Sequence, residues 1–404
     1  MHILLIHQAF AALDEPGGTR HHEFARALAA RGHRVTVIAS RVSYLTGAPL
    51  SGSGAAGGNA GQGGVRVIRA ATTSALHKSF VQRVFAFLSF MVSSFFIGLG
   101  VKNVDVVWGT SPPIFQGFTA WLLAFLKRVP FLFEVRDLWP QFAIAVGVLK
   151  NPLLIKLSLW LERFLYRRAA VVMVNSPGYV HHVMERGARR VELVPNGADP
   201  EMFDPAADGS VFRSRHNLAG NFVVLYAGAH GMSNDLGVVL ESARILAGTV
   251  PGVKLVLLGD GKEKPALQTQ AAGMGLTNLL FLPPIPKMEM PAALAGADAC
   301  LAILKPIEEY KTTYPNKVFD YMAAGRPVVL AIDGVIRAVV EQAGCGVFAK
   351  PGDPAALAEA VKTLAADPAK SRSMGLAGRK YLEENFSRTV IAEKIMDILN
   401  SLSH

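Results

Sequence analysis

Two cysteines in 404 residues leave no room for a disulfide framework, and neither has the spacing of a metal knuckle. Cys300 and Cys345 lie in apolar or glycine-rich stretches and are expected as buried thiols of a reducing compartment. Carboxylates are also short, with 31 Asp and Glu against 41 Lys and Arg, so the net charge is +10. That excess points to an anionic partner: nucleic acid, an anionic membrane surface or a phosphorylated substrate. The chain has no zinc knuckle, no RNP-like aromatic run and no long polybasic tail, so nucleic acid is set aside. Asp-x-Asp occurs nowhere, which removes the carboxylate pair that commonly holds a divalent metal on a diphosphate. The turn after the first apolar run lacks G-x-G-x-x-G, which counts against a dinucleotide dehydrogenase. That first run, Ile3 to Ile6, is too short for a secretory signal and reads as a buried strand.

Apolar residues are plentiful at 51%, and the length fits two domains. Short apolar runs alternate with helical patterns, the order of βαβ units in a parallel sheet. In the first half the expected strands are residues 3–6, 35–39, 104–108, 131–135, 171–174 and 191–194. In the second half they are 222–228, 254–258, 279–282, 299–303 and 328–331, and helices follow from 353 onward. The turn-rich Pro195-Asn196-Gly197-Ala198-Asp199 marks the boundary. The expected domains are therefore 1–197 and 198–385, with a C-terminal helix over 386–404 that could pack back on the first domain. A cleft between two α/β domains is the default ligand site.

Half of residues 51–64 are glycine, so this stretch is expected to be a mobile loop. No residue from Val84 to Val101 is charged. Two readings stand for it: a helix buried in the domain, or a helix pressed into a membrane interface and flanked by Lys78, Arg83 and Lys102. Basic clusters at Lys127-Arg128, Arg163 with Arg167-Arg168, and Arg186 with Arg189-Arg190 suit the second reading.

Chemistry is expected where strands end. The stretch from Tyr314 to Val328 is a loop, a helix start at Pro315, a glycine stop at Gly325 and a strand. The N–H groups of Asn316, Lys317 and Val318 are free to face an anion, helped by the helix dipole and the Lys317 charge. Asp320 sits one turn further in, placed to accept from a sugar diol. Gly17-Gly18 between the first strand and helix makes a second phosphate candidate. Arg136 and Asp137 follow the strand at 131–135, at the carboxyl end where open α/β sheets bind ligands. Gly228 with the loop His230-Gly231, and Gly259-Asp260-Gly261-Lys262, close two further strands.

Pro195-Asn196-Gly197, Gly259-Asp260-Gly261 and Asp320 through Val328, in that order and spacing, resemble the retaining glycosyltransferases of family 4. Gly17-Gly18 and the Leu-Ala-x-x-Gly-His-x-Val-x-Val pattern from Leu28 to Val37 match as well, so the resemblance covers essentially the whole chain. Arg136-Asp137-Leu138-Trp139-Pro140 and Pro315-Asn316-Lys317 point to the WbuB-like, envelope-polysaccharide branch. The resemblance implies a GT-B fold, with two Rossmann-like domains and a nucleotide-sugar cleft between them. It implies that Asp320 binds the donor ribose, that Asn316 to Val318 hold the diphosphate, and that Gly17-Gly18 approach that diphosphate from the other domain. Pro284-Ile285 would lie against the nucleobase, and Arg136 falls where many relatives place a histidine near the donor sugar. Three departures stand out: Thr312 replaces the family's first glutamate, Asp320 shortens the second, and His230-Gly231-Met232 replaces the usual Arg and Lys. Lys317, with Lys262 or Arg136, must then meet the diphosphate charge.

The expected reaction is metal-independent and retaining, without an enzyme nucleophile. It moves a sugar, of N-acetylhexosamine type, from a UDP-sugar to a polyprenyl-diphosphate-linked saccharide in envelope polysaccharide or O-antigen synthesis. Asp137 is a candidate base or acceptor-orienting group, and a turn cap is its other reading. No cofactor is implied beyond the donor itself, and the expected location is cytoplasmic, peripheral at the inner face of the membrane. Two alternatives remain open. A nucleotide-sugar epimerase shares the architecture but needs paired acid and base carboxylates, and a non-catalytic peripheral membrane protein would explain the altered donor site.

Overall fold

The structure is a computed structural model that describes residues 1–11, 18–42, 64–73 and 80–402. The glycine-rich stretch 51–63 and Gly17 fall outside the described residues. The chain divides into two compact units, Met1–Pro195 with Ile391–His404, and Asn196–Val390.

The first unit is built on β1 (His2–Ile6), β2 (Arg34–Ser40), β3 (Val65–Ala70), β4 (Val106–Ser111), β5 (Phe131–Val135), β6 (Val171–Val174) and β7 (Val191–Leu193). They form one parallel sheet in the order β3-β2-β1-β4-β5-β6-β7. Its helices are α1 (Arg20–Ala30), α2 (Phe80–Gly100), α3 (Phe115–Lys127), α4 (Gln141–Ala145), α5 (Pro152–Arg168) and α6 (Val180–Glu185). The strands are short, apolar and buried on both faces, as strands covered by crossover helices must be. β3 is the strand that periodicity missed, because Arg66 and Arg69 interrupt its apolar pattern.

The second unit repeats the plan with β8 (Phe222–Ala227), β9 (Val253–Leu258), β10 (Leu279–Leu282), β11 (Ala299–Ile303), β12 (Val328–Ala331) and β13 (Gly346–Phe348). The order is β10-β9-β8-β11-β12-β13, again all parallel. Its helices are α7 (Ser210–Arg215), α8 (Leu236–Thr249), α9 (Lys264–Gly273), α10 (Met290–Ala295), α11 (Asn316–Ala323), α12 (Val335–Gln342), α13 (Pro354–Ala366) and α14 (Pro368–Asn385). A last helix, α15 (Arg388–Asn400), buries Ile391, Ile395 and Leu399 in the first unit's core beside Leu5, Val37 and Leu132. Both sheets reverse strand order beside their first strand, at β1/β4 and β8/β11, and such switch points are where ligands bind at the strands' carboxyl ends.

The uncharged run 84–101 lies in α2 up to Gly100 and has two sides. Ala86, Phe90 and Ser94 are buried, while Phe85, Val92, Phe96 and Leu99 are exposed. Gly98 lets α2 approach α3, because a Cβ there would lie against the Leu123 side chain. Among the described residues no helix is long and apolar enough to cross a membrane. Both cysteines are free and buried.

At the carboxyl edge of the first sheet a charged group is locked inside. Glu134, on β5, is fully buried and receives Arg20 Nε at 3.0 Å and His21 Nε2 at 2.5 Å. Arg20 continues to the carbonyls of Val194 at 2.7 Å and Pro195 at 2.6 Å, tying α1 to the end of the sheet. Burial acts to protonate Glu134, but the charges of His21 and Arg20 outweigh it and hold the carboxyl well below its usual range. Burial also draws His21 below the usual imidazole value, with Glu134 opposing. Removing one partner of such a buried pair costs about 3–5 kcal/mol. Glu134→Ala is therefore expected to lose about that much unfolding free energy at pH 7 in a denaturant titration. A depressed carboxylate stabilises above its unfolded value of about 4.3 and loses that contribution as pH falls below it. The gap between Glu134→Ala and the parent should then narrow in acid; a gap constant from neutral to acid pH would refute the assignment.

Candidate active site

The second unit's site forms where β8 and β9 end. Gly228 leaves β8 at φ +154 and Gly259 leaves β9 at φ +146. A Cβ on Gly259 would be driven into the Gly228 carbonyl, and one on Gly261 into the His230 carbonyl, so the two loops touch backbone to backbone. His230 N–H donates to the Asp260 carbonyl at 2.8 Å, and Glu263 N–H donates to the His230 carbonyl at 3.0 Å. The His230 ring is buried beside Tyr226 and Phe281, and neither ring nitrogen has a partner. Burial, aided by Lys264, lowers its pKa to about 4, so it is neutral at pH 7. Gly231 opens the next turn, Met232–Asn234.

Lys317 closes this corner. Its Nζ lies 3.8 Å from the centre of the Tyr226 ring. A Cβ built on Gly228 would come within 2.8 Å of that ammonium, so a side chain there would make it shift. The ammonium is buried and has no hydrogen-bond partner, and burial lowers its pKa to about 7. α11 is held in place by Tyr321, whose hydroxyl accepts from Ala227 N–H at 3.0 Å and donates to the Leu301 carbonyl at 3.2 Å. One expectation needs correction. Val318 N–H is not free, since it donates to the Pro315 carbonyl at 3.2 Å, closing a tight first turn. The N–H groups of Asn316 and Lys317 remain for a ligand.

Asp320 is not open either: Lys287 Nζ meets its Oδ2 at 2.6 Å. Lys287 also lies 5.2 Å from the Phe203 ring. It follows Pro284, which is exposed, and Ile285, which packs on the second unit's core. Lys262 points into solvent, and the neighbouring Lys264 instead donates to the carbonyls of Gly259 at 2.6 Å and Leu282 at 2.9 Å. At the position of the missing glutamate, the Thr312 hydroxyl donates to the Glu309 carbonyl.

In the first unit the switch point carries polar groups of its own. His7, at the exit of β1, stacks 4.1 Å from His21 and pairs its Nδ1 with Thr110 Oγ1 at 2.9 Å. Burial holds His7 well below the ordinary imidazole value, and its Nε2 is buried without a partner. Arg136 is spent on backbone, donating through Nε to the Ser111 carbonyl at 3.3 Å and through Nη2 to that of Pro112 at 3.5 Å. Burial raises Asp137 to about 6, with Arg136 opposing. Gly18 is exposed and a Cβ there would meet nothing.

Reading the residues missed Lys287, His7 and the Arg20–His21–Glu134 group, and took Lys264 for part of a solvated face with Lys262. Lys287 follows Pro283-Pro284-Ile285-Pro286 by one residue, and Glu134 is the one charge in an otherwise apolar strand. Both were signals of position at a strand's end rather than of chemistry.

Residues 17–197 match a glycosyl transferase 4-like domain, and residues 221–367 match the glycosyl transferases group 1 domain. The chain is 27% identical over 214 residues to D-inositol 3-phosphate glycosyltransferase of Streptomyces avermitilis, covering 50% of this chain and 45% of that protein. It is 25% identical to the putative colanic acid biosynthesis glycosyl transferase WcaI of Escherichia coli K12, covering 77% and 78%. The first of these matches thus spans about half of the relative's own length. Among solved structures, Anabaena HepE in complex with UDP-glucose superposes with a TM-score of 0.73 at 19% identity, covering 99% of this chain and all of that one, a likeness of fold. Domain models, sheet order and fold agree: the chain belongs to the GT-B glycosyltransferases, a glycosyl transferase 4-like domain followed by a group 1 domain.

Proposed function

We propose that the protein is a retaining, metal-independent glycosyltransferase that moves an N-acetylhexosamine-type sugar from a UDP-sugar to a polyprenyl-diphosphate-linked saccharide in cell-envelope polysaccharide or O-antigen synthesis. The observation that carries the donor half is the buried Lys317 ammonium, without a partner, at the sheet's switch point. A buried cation with no counter-ion is costly unless a ligand supplies one. The β-phosphate of a departing nucleoside diphosphate gathers negative charge, and fixed donors aimed at it lower the barrier. Lys317 Nζ and the N–H groups of Asn316 and Lys317 are those donors. Asp320 accepts from a ribose hydroxyl, and Lys287 holds it in place. Pro284 and Ile285 lie beside the base. Asp137, at about 6, can orient an acceptor hydroxyl and take its proton near neutral pH. Two relatives support the substrate classes: HepE was solved with UDP-glucose, and WcaI is named for colanic acid biosynthesis. The apolar residues exposed on α2 support work at the inner membrane face on a lipid-linked acceptor.

The test is a transfer screen across UDP-, GDP- and ADP-sugars, with and without a polyprenyl-diphosphate saccharide. Turnover with a UDP-sugar that persists in chelator is expected; absence of UDP binding by calorimetry would sink the reading. Lys317→Met should lower kcat/KM by about 100- to 1,000-fold. Its melting temperature at pH 6 should hold or rise, because an unpaired buried charge is removed; equal loss of activity and stability would remove Lys317 from the phosphate role. The sign of the pH effect follows from its pKa of about 7. Below that value the ammonium is preformed and above it must be protonated on binding, so UDP affinity falls as pH rises past neutrality. Proton uptake at alkaline pH, read by calorimetry in two buffers of different ionisation enthalpy, should disappear in Lys317→Met.

A further inference from the structure

The edge of the first sheet where its strands begin, opposite the edge where they end, holds a cavity of about 420 Å³. Trp121 and Phe125 of α3 wall it, Phe131 at the start of β5 lies at its floor, and Arg167, Arg168 and Arg189 rim it. None of the three guanidinium groups meets a carboxylate among the described residues. Their neighbours differ: Arg186 is held by Glu162 at 2.9 Å and Arg190 by Glu192 at 2.8 Å. Arg167 lies against Gly187, where φ is +101 and a Cβ would collide with its side chain. Arg168 sits over the Phe164 ring at 5.6 Å.

From this cavity an apolar strip runs along the surface. Trp121 stacks with Phe125 at 6.0 Å and meets Phe164 edge-on at 4.6 Å, and Phe164 stacks with Trp160 at 5.4 Å. α5 extends it through Leu157 and Leu153, one helical turn apart on the same face. Phe125 is 67% exposed and Trp160 is 58% exposed, large values for such side chains in a soluble setting. Aromatic rings flanked by unpaired arginines suit the boundary between headgroups and acyl chains, where one end of a side chain is apolar and the other meets phosphate.

We propose that this cavity binds the phosphate headgroup of an anionic phospholipid while the Trp160–Phe125 strip enters the leaflet beside it. The inference rests on and deepens the membrane half of the function above, and is independent of the donor site. Guanidinium suits phosphate because its planar fork can donate two parallel bonds. A hydrocarbon surface alone would need no such rim. The occupant is thus a charged headgroup with its lipid, rather than an apolar partner.

The experiment is co-sedimentation of the full chain with phosphatidylcholine vesicles and with vesicles that also contain phosphatidylglycerol. Binding to the anionic vesicles is expected to be at least tenfold tighter. The triple variant Arg167→Gln, Arg168→Gln, Arg189→Gln should weaken that binding by roughly 10- to 100-fold, since each basic residue at a charged surface contributes several-fold. A control removing the same charge from α14, Lys370→Gln, Arg372→Gln, Lys380→Gln, should bind like the parent. Brominated acyl chains should quench Trp160 emission, and Trp160→Phe should remove that part of the quenching. Equal binding to both vesicle types, or equal loss in the two triple variants, overturns the headgroup site while leaving general membrane attraction standing. An unchanged circular dichroism spectrum and melting curve show that the pocket variant folds, and its unchanged UDP binding keeps the two readings separable.

Discussion

Everything in the second unit's site depends on two peptide backbones being allowed to touch. Gly228 and Gly259 leave neighbouring strands and meet without side chains between them. Their bare backbones bring the loops close enough for His230 to bond with the Asp260 segment. Lys317 reaches the same corner, its ammonium over the Tyr226 ring and beside Gly228. A side chain at either glycine would push the loops apart or expel the ammonium, so the cation's place is set by what two residues lack.

The two units solve the same topological problem with opposite electrostatics. One strand from its switch point, on β5, the first sheet buries a carboxylate and pairs it with arginine and histidine. At the end of β8 the second unit instead buries a cation without a hydrogen-bond partner. A satisfied buried network contributes order, whereas an unsatisfied charge stores free energy that a ligand can release. The first arrangement suits holding a shape, the second suits receiving an anion.

The parallel sheets were legible because most of their strands are short, mainly apolar runs punctuated by glycine and proline. β3 escaped because arginines break its pattern, and β13 because three residues carry too little periodicity. Around the site, residues that act through backbone were readable: Pro315, Gly228, Gly259 and Gly325 each declare a conformation. Residues that act through distant side chains were not. Nothing local in the sequence says that Lys287 meets Asp320, since 33 positions separate them. Val318 was misjudged for a related reason, because a tighter first turn uses its N–H within the chain. Lys262 and Lys264 look alike in sequence, and only the geometry of the β9 exit separates a solvated lysine from one that bridges two strand ends.

The Tyr321 hydroxyl joins the end of β8 and the middle of β11 to α11 by one atom that both accepts and donates. A helix anchored in this way cannot slide or rotate without breaking bonds to two strands at once. Its leading amides are therefore aimed before any ligand arrives, and a ligand settling there has little disorder to remove from the protein. For the diphosphate proposed above, encounter would then resemble a key meeting a cut lock, with shape rather than rearrangement setting the choice of anion.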